Sequence, residues 1–238
     1  MGYWDQDMMK ADVIAFEKTP SYMITPNIIP AIEAICVWRP KILAILRNPI
    51  DRAYSHFAMA QRHSRKNKPA TFSRVIDQEI VKYIDAGILR GTSLTYSQYE
   101  RSGSRFTTPF HFYENRTLEE YARLFHEVYA GNRNLDYLYR SFYAPILHPW
   151  VTQFGKQDRL LVLQFEDFVA RENVNDTSHL EEILGFAGLD YMQERGAEPH
   201  STNTSGRRRL QSLKGEYKPM PARVRFYLSF LYGHFNAM

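Results

Sequence analysis

Along this chain, apolar residues come either in short unbroken runs or spaced three and four apart, and the two patterns take turns. Residues 12 to 16 (Asp-Val-Ile-Ala-Phe), Lys41 to Leu46 and Leu160 to Leu163 are of the first kind, which predicts strands buried on both faces. The second kind predicts helices. Ile28 to Trp38 reads as a short one opened near Pro30, and Pro49 to about Arg62 as an amphipathic one. In the latter, Ile50, Tyr54, Phe57 and Gln61 share one face, while Asp51, Arg52, Ser55 and Met59 line another. Thr71 to Ala86 repeats the pattern with Phe72, Val75, Ile76, Ile80 and Tyr83. Leu135 to Phe154 predicts a helix interrupted near Pro145 and Pro149. "SHLEEILGFAGL" and the aromatic-rich residues 221 to 235 complete the set.

Buried strands alternating with helices predict a three-layer α/β domain, its mostly parallel central sheet covered on both faces. Ligands of such sheets sit beyond the carboxyl ends of the strands. Glu17, Lys18 and Arg47 come directly after predicted strands there, and Glu166 and Asp167 close the strand that begins at Leu160. Residues 87 to 117 show no period and are rich in Ser, Thr, Arg, Tyr and Phe, which marks a lid or insertion. Arg90, Arg101, Arg105 and Arg116 beside Tyr96, Tyr99, Phe106, Phe110 and Tyr113 would suit an acidic sugar there; a lid packed on its own aromatics is the other reading.

Composition narrows the classes. With 238 residues, 44% hydrophobic and 14% aromatic, the chain can bury one large core, which argues against wholesale disorder. A net charge of +4 only means that an anionic partner is not repelled. The basic run "RHSRKNK" reads as a solvated helix end, and "SGRRRLQSLKGEYK" lacks the interleaved aromatics expected of a nucleic-acid binder. Cys36 stands alone, so neither an internal disulfide nor a Cys-rich metal site is expected. No run is long enough to span a membrane, which puts any anchor outside this chain. Asn115, Asn175 and Asn203 open sequons that permit lumenal glycosylation.

The candidate chemistry sits at "KILAILRNPIDRAYSHF". Asn48 can cap the helix and Pro49 can fill its first turn, which leaves backbone donors and a partial positive charge beside Arg47. A guanidinium fork matches phosphate oxygens, and Ser55 on the same helix adds a neutral donor. An anion held by Arg47 and Ser55 is one reading; a solvated strand-to-helix turn is the other. In "FEKTPSYM", Pro20 keeps Thr19 out of helical geometry, so Lys18 is held near a turn or is simply solvated.

"FEKTPSYM" and, after an interval, "KILAILRNPIDRAYSHF" together resemble the sulfotransferases that use 3'-phosphoadenosine 5'-phosphosulfate, in particular their Golgi glycosaminoglycan branch. Likeness continues through "TFSRVIDQEI", "SFYAPILHPWVTQFGKQDRLLVLQFEDF", "ILGFAGL" and "LKGEYKPMPARVRFYLSFLYGHFN", and is weakest over residues 87 to 134. The resemblance implies a P-loop nucleoside triphosphate hydrolase-like fold and a transfer of sulfuryl to a carbohydrate hydroxyl or amine, without a metal. It implies that Arg47 and Ser55 bind the donor's 3'-phosphate and that Lys18 lies in the catalytic cleft. Lys214 and Gly215 resemble a loop that closes over the nucleotide, with Glu216 where arginine is usual and Arg207, Arg208 and Arg209 nearby to compensate.

The family opens with a strand, a Lys- and Gly-rich loop for the 5'-phosphosulfate, and a segment carrying the catalytic base. None of these precedes Met1, so residues 1 to 238 read as one sulfotransferase domain incomplete at its N-terminus, either a fragment or a chain that has lost catalysis. The alternative function is then a non-catalytic nucleotide- or glycan-binding remnant.

Overall fold

The computed structural model describes residues 16–25, 27–36, 38–63, 71–91, 110–113, 115–131, 137–169, 178–189 and 220–236. Over these residues the chain is mixed α/β, mostly helical, with a small parallel sheet. Four strands are described: β1 (Ile42–Leu46), β2 (Leu89–Gly91), β3 (Phe110–Phe112) and β4 (Leu160–Gln164). The helices are α1 (Ile28–Ile35), α2 (Pro49–His63), α3 (Phe72–Asp85), α4 (Leu118–Gly131), α5 (Tyr143–Phe154), α6 (Phe165–Val169), α7 (Ser178–Ala187) and α8 (Ala222–Asn236). Short 3-10 turns occupy Tyr22–Ile24, Tyr139–Ser141 and Gly155–Gln157.

Strands β1 and β4 pair in parallel, with Ile42 opposite Leu160 and Leu46 opposite Gln164. A clasp of polar side chains fixes this register at the amino ends. Arg159 is almost wholly buried; it donates to the Pro40 carbonyl at 3.1 Å and to Gln157 Oε1 at 3.1 Å, and pairs with Glu33 at 2.9 Å. Arg39 donates to the same Gln157 oxygen at 2.7 Å, so one amide links the residues leading into both strands.

Most of the hydrophobic core lies among the helices rather than on the sheet. Phe125 of α4 stacks on Phe142 at 4.4 Å, and Tyr83, Phe112 and Tyr232 pack their rings around that pair. Ile76, Ile80, Leu138, Leu228 and Leu231 fill the remaining space. Offset and edge-to-face rings of this kind contribute beyond their buried area. Glu79 of α3, fully buried, accepts the backbone N–H groups of Tyr137 at 3.2 Å and Leu138 at 2.9 Å, groups that would otherwise be orphaned in the core.

Several elements differ in extent or burial from their predicted forms. Helix α1 ends at Ile35 instead of Trp38. Of the helix expected from Leu135 to Phe154 with interruptions near Pro145 and Pro149, the described part before Tyr143 is a turn and the Tyr139–Ser141 3-10 piece, so the interruption near Pro145 is present. Pro145 sits in the first turn of α5, where its missing N–H costs nothing, whereas Pro149 lies inside the helix without breaking it. Glu166 and Asp167 belong to the short helix α6, not to the end of the strand. The burial expected for residues 41 to 46 is only partial, because Leu43 and Ile45 are exposed on β1, as is Val162 on β4. Of the strand expected at 12 to 16, only Phe16 is a described residue; it is in no strand and 93% exposed.

At the ends of the segment 87 to 117, β2 and β3 pair antiparallel, Leu89 opposite Phe112. Gly87, at φ +67, turns the chain out of α3 in a conformation that L side chains rarely adopt. Its carbonyl accepts from Arg116, whose guanidinium lies 4.3 Å from the Tyr113 ring and 5.9 Å from the Tyr121 ring. Arg116 and Tyr113 thus close the base of this segment upon itself. Residues 92 to 109, including Tyr96, Tyr99, Arg101, Arg105 and Phe106, lie outside the described residues.

Candidate functional site

Parallel strands paired in register end at the same level, so the residues just past their carboxyl ends meet. One step past the pair Leu46 and Gln164 come Arg47 and Phe165; one step further come Asn48 and Glu166. The Arg47 guanidinium lies over the Phe165 ring, 5.3 Å from its centre. The Asn48 N–H donates to Glu166 Oε1 at 2.7 Å, and the Tyr143 hydroxyl, from the first turn of α5, donates to the Arg47 carbonyl at 2.7 Å. Burial pushes the Tyr143 phenol above its ordinary value, which keeps it a donor at any physiological pH. Arg47 is half-buried, and among the described residues no carboxylate pairs with its guanidinium.

Helix α2 begins as its sequence predicts. Asn48 Oδ1 caps it, accepting from Ile50 N–H at 3.1 Å and Asp51 N–H at 3.3 Å, worth about 1 kcal/mol. The Arg52 N–H bonds the Asn48 carbonyl at 2.9 Å, and Pro49 has no N–H to offer. Every backbone donor of the first turn is therefore committed. This corrects the expectation of free donors for an anion: with Glu166 and Asp51 both at this end, two carboxylates already complement the helix dipole. An anion beside Arg47 has to be held by side chains.

The helical spacing groups Arg52 with Asp51, Ser55 and Met59 and says nothing of its partners. The Arg52 side chain turns inward and donates to Ser141 Oγ and to the Tyr137 carbonyl, while Ser141 donates to the Pro49 carbonyl at 3.0 Å. Asp51 instead pairs with Arg225 of α8. Ser55 is half-buried on α2, and its hydroxyl has no hydrogen-bond partner among the described residues. Glu166 Oε2 is a buried acceptor without a donor among those same residues.

Lys18 lies in the extended stretch before the Tyr22–Ile24 turn, exposed and without a polar partner among the described residues. Its neighbour Glu17 accepts from the Thr19 hydroxyl and from Tyr22 at 2.9 Å, and these bonds, Thr19's first, hold its carboxyl below the usual range. The stretch is anchored where Trp150 Nε1 of α5 donates to the Met23 carbonyl at 3.3 Å and where Ile24 is buried. Tyr143 and Trp150 lie on one face of α5, two turns or about 10 Å apart. That single helix face tethers both stretches that carry candidate residues. Lys214 and Gly215, with Arg207, Arg208, Arg209 and Glu216, lie outside the described residues.

The residues that sequence reasoning missed are Phe165 and Tyr143. Phe165 had a signal: "ILAIL" before Arg-Asn and "LLVLQ" before Phe-Glu are runs of equal length, and pairing them in register sets Phe165 beside Arg47. Among the described residues no cluster of His, Cys, Asp and Glu is grouped to hold a metal ion, and no helix is long and apolar enough to cross a membrane. No protein-family model, curated protein or solved structure matches the chain.

Proposed function

We propose that this chain is a sulfotransferase domain that takes a sulfuryl group from 3'-phosphoadenosine 5'-phosphosulfate to a carbohydrate hydroxyl or amine. One observation carries the reading: a guanidinium at the carboxyl end of a parallel strand pair, lying over an aromatic ring and with its charge not neutralised by any described carboxylate. Ligands of parallel sheets bind at that end, and a fork with free N–H groups suits a phosphate. Arg47 and Ser55 then hold the 3'-phosphate and Lys18 serves the reacting end, with Lys214 and Gly215 closing over the nucleotide. A P-loop nucleoside triphosphate hydrolase-like three-layer sandwich and a lumenal Golgi setting belong to the same reading.

Sulfuryl transfer depends on alignment and on charge stabilisation. The acceptor oxygen or nitrogen attacks sulfur in line, a base takes its proton, and cations stabilise the departing phosphate oxygen. Arg47, at the far end of the nucleotide, contributes by fixing where the sulfur lies. Calorimetry tests this: Arg47→Ala should weaken adenosine 3',5'-bisphosphate by about 1.5 to 3 kcal/mol and leave adenosine 5'-phosphate nearly unchanged. Equal losses for both nucleotides would remove the assignment. Binding without release of the bisphosphate from the donor, across a panel of glycans, would leave a nucleotide-binding domain in place of an enzyme.

A further inference from the structure

The turn that carries Arg47 is held from three directions. Tyr143 donates to the Arg47 carbonyl at 2.7 Å, Glu166 accepts the next N–H at 2.7 Å, and Phe165 lies under the guanidinium at 5.3 Å. Two of these three come from just past the end of β4, a strand far from Arg47 in sequence. A solvated arginine gains little from such support, since surface guanidinium groups sample many rotamers at low cost. The arrangement suits a group whose N–H edge has to point one way before a ligand arrives.

We propose that Phe165 and Glu166 are positioning residues for Arg47: the ring fixes the plane of the guanidinium, the carboxylate fixes the turn beneath it, and together they aim its N–H edge at the anion. This rests on the reading of Arg47 as the 3'-phosphate ligand. The ring does so without competing for the ligand, because it attracts the cation through its π face and carries no anionic group that would take the phosphate's place. The carboxylate is engaged by a backbone donor. By taking the Asn48 N–H, it also keeps the phosphate away from the start of α2, so that selectivity falls on the Arg47 side chain.

The test measures the affinity of the full chain for adenosine 3',5'-bisphosphate and adenosine 5'-phosphate by calorimetry, in the wild type and in Arg47→Ala, Phe165→Leu, Phe165→Tyr, Glu166→Ala and Glu166→Gln. Phe165→Leu should weaken the bisphosphate about 3- to 10-fold and spare the monophosphate, and Phe165→Tyr should restore it to within about twofold. Glu166→Ala should cost about 10-fold on the bisphosphate alone, with Glu166→Gln, which keeps an acceptor for the Asn48 N–H, recovering most of it. If Phe165→Leu does not fold, Phe165→Met takes its place as an apolar side chain without a ring face.

Three results go against the proposal. Selective loss in Arg47→Ala together with equal or no losses in the Phe165 variants overturns the role of the ring and leaves the assignment of Arg47 standing. Failure of Glu166→Gln to recover what Glu166→Ala loses overturns the role given to the carboxylate. No selectivity in Arg47→Ala removes the phosphate reading, and the positioning roles with it.

Discussion

Tyr139, Tyr83 and Tyr232 carry phenols into a core that has few polar partners for them. Burial, and then the neighbouring Tyr129, pushes Tyr139 up to about 12, and burial likewise raises Tyr83 and Tyr232. A phenol whose folded value lies above its unfolded value of 10.0 leaves stability intact below pH 10 and removes it as the pH climbs toward 12. Absorbance at 295 nm should therefore show exposed tyrosines ionising smoothly and these three ionising together with loss of the near-ultraviolet circular dichroism. Independent smooth titration of all tyrosines while the fold persists would contradict their burial. At this scale the sequence was legible for Arg47 and Ser55 as a place on a strand end and the helix after it. It was silent on Arg52, because the Ser141 hydroxyl and Tyr137 carbonyl that turn this side chain inward belong to a distant part of the chain.

Elements were easier to read than their surroundings. Strand β1 is bounded by Pro40 on one side and the Asn48 cap on the other, so its limits stem from local chemistry. Its burial does not, because an unbroken apolar run says nothing of which neighbours cover it. Leu43, Ile45 and Val162 expose 40, 50 and 41% of their surfaces, and Trp38 just ahead of β1 exposes 62%. Leu163, opposite Ile45, exposes only 7%. A short parallel pair with bare apolar residues is an adhesive surface. Ile45→Lys with Val162→Lys should reduce self-association in sedimentation velocity and shift the urea midpoint little, whereas Leu163→Ala should cost about 2 to 4 kcal/mol. A large loss of stability in the lysine variant would mean that these residues are covered after all. The same limit applies to α5, which starts beside Pro145 but is not ended by Pro149: residues around Pro149, Ile146, Trp150 and Phe154 among them, are buried and hold the turn.

At the scale of the molecule the core and the candidate site are built differently. The aromatic core joins α3, α4, the Tyr139–Ser141 turn and α8, and part of it, such as Phe125 on Phe142 and Phe112 on Tyr121, is formed between elements close in sequence. The site depends on β1 meeting β4, and the bond from Asn48 to Glu166 spans 118 positions. Closing so long a loop carries an entropic cost that is met only when the ladder and its clasp at Arg159 form together. The helices therefore have a head start. In refolding from urea, far-ultraviolet circular dichroism should recover before the affinity for adenosine 3',5'-bisphosphate does, and the two traces should coincide only if the strands pair first. On the proposed reading, a newly made chain would then pass through a helical stage that cannot yet hold a nucleotide, since Arg47 has no ring to rest on until residues 160 to 166 have been synthesised and have come back to it.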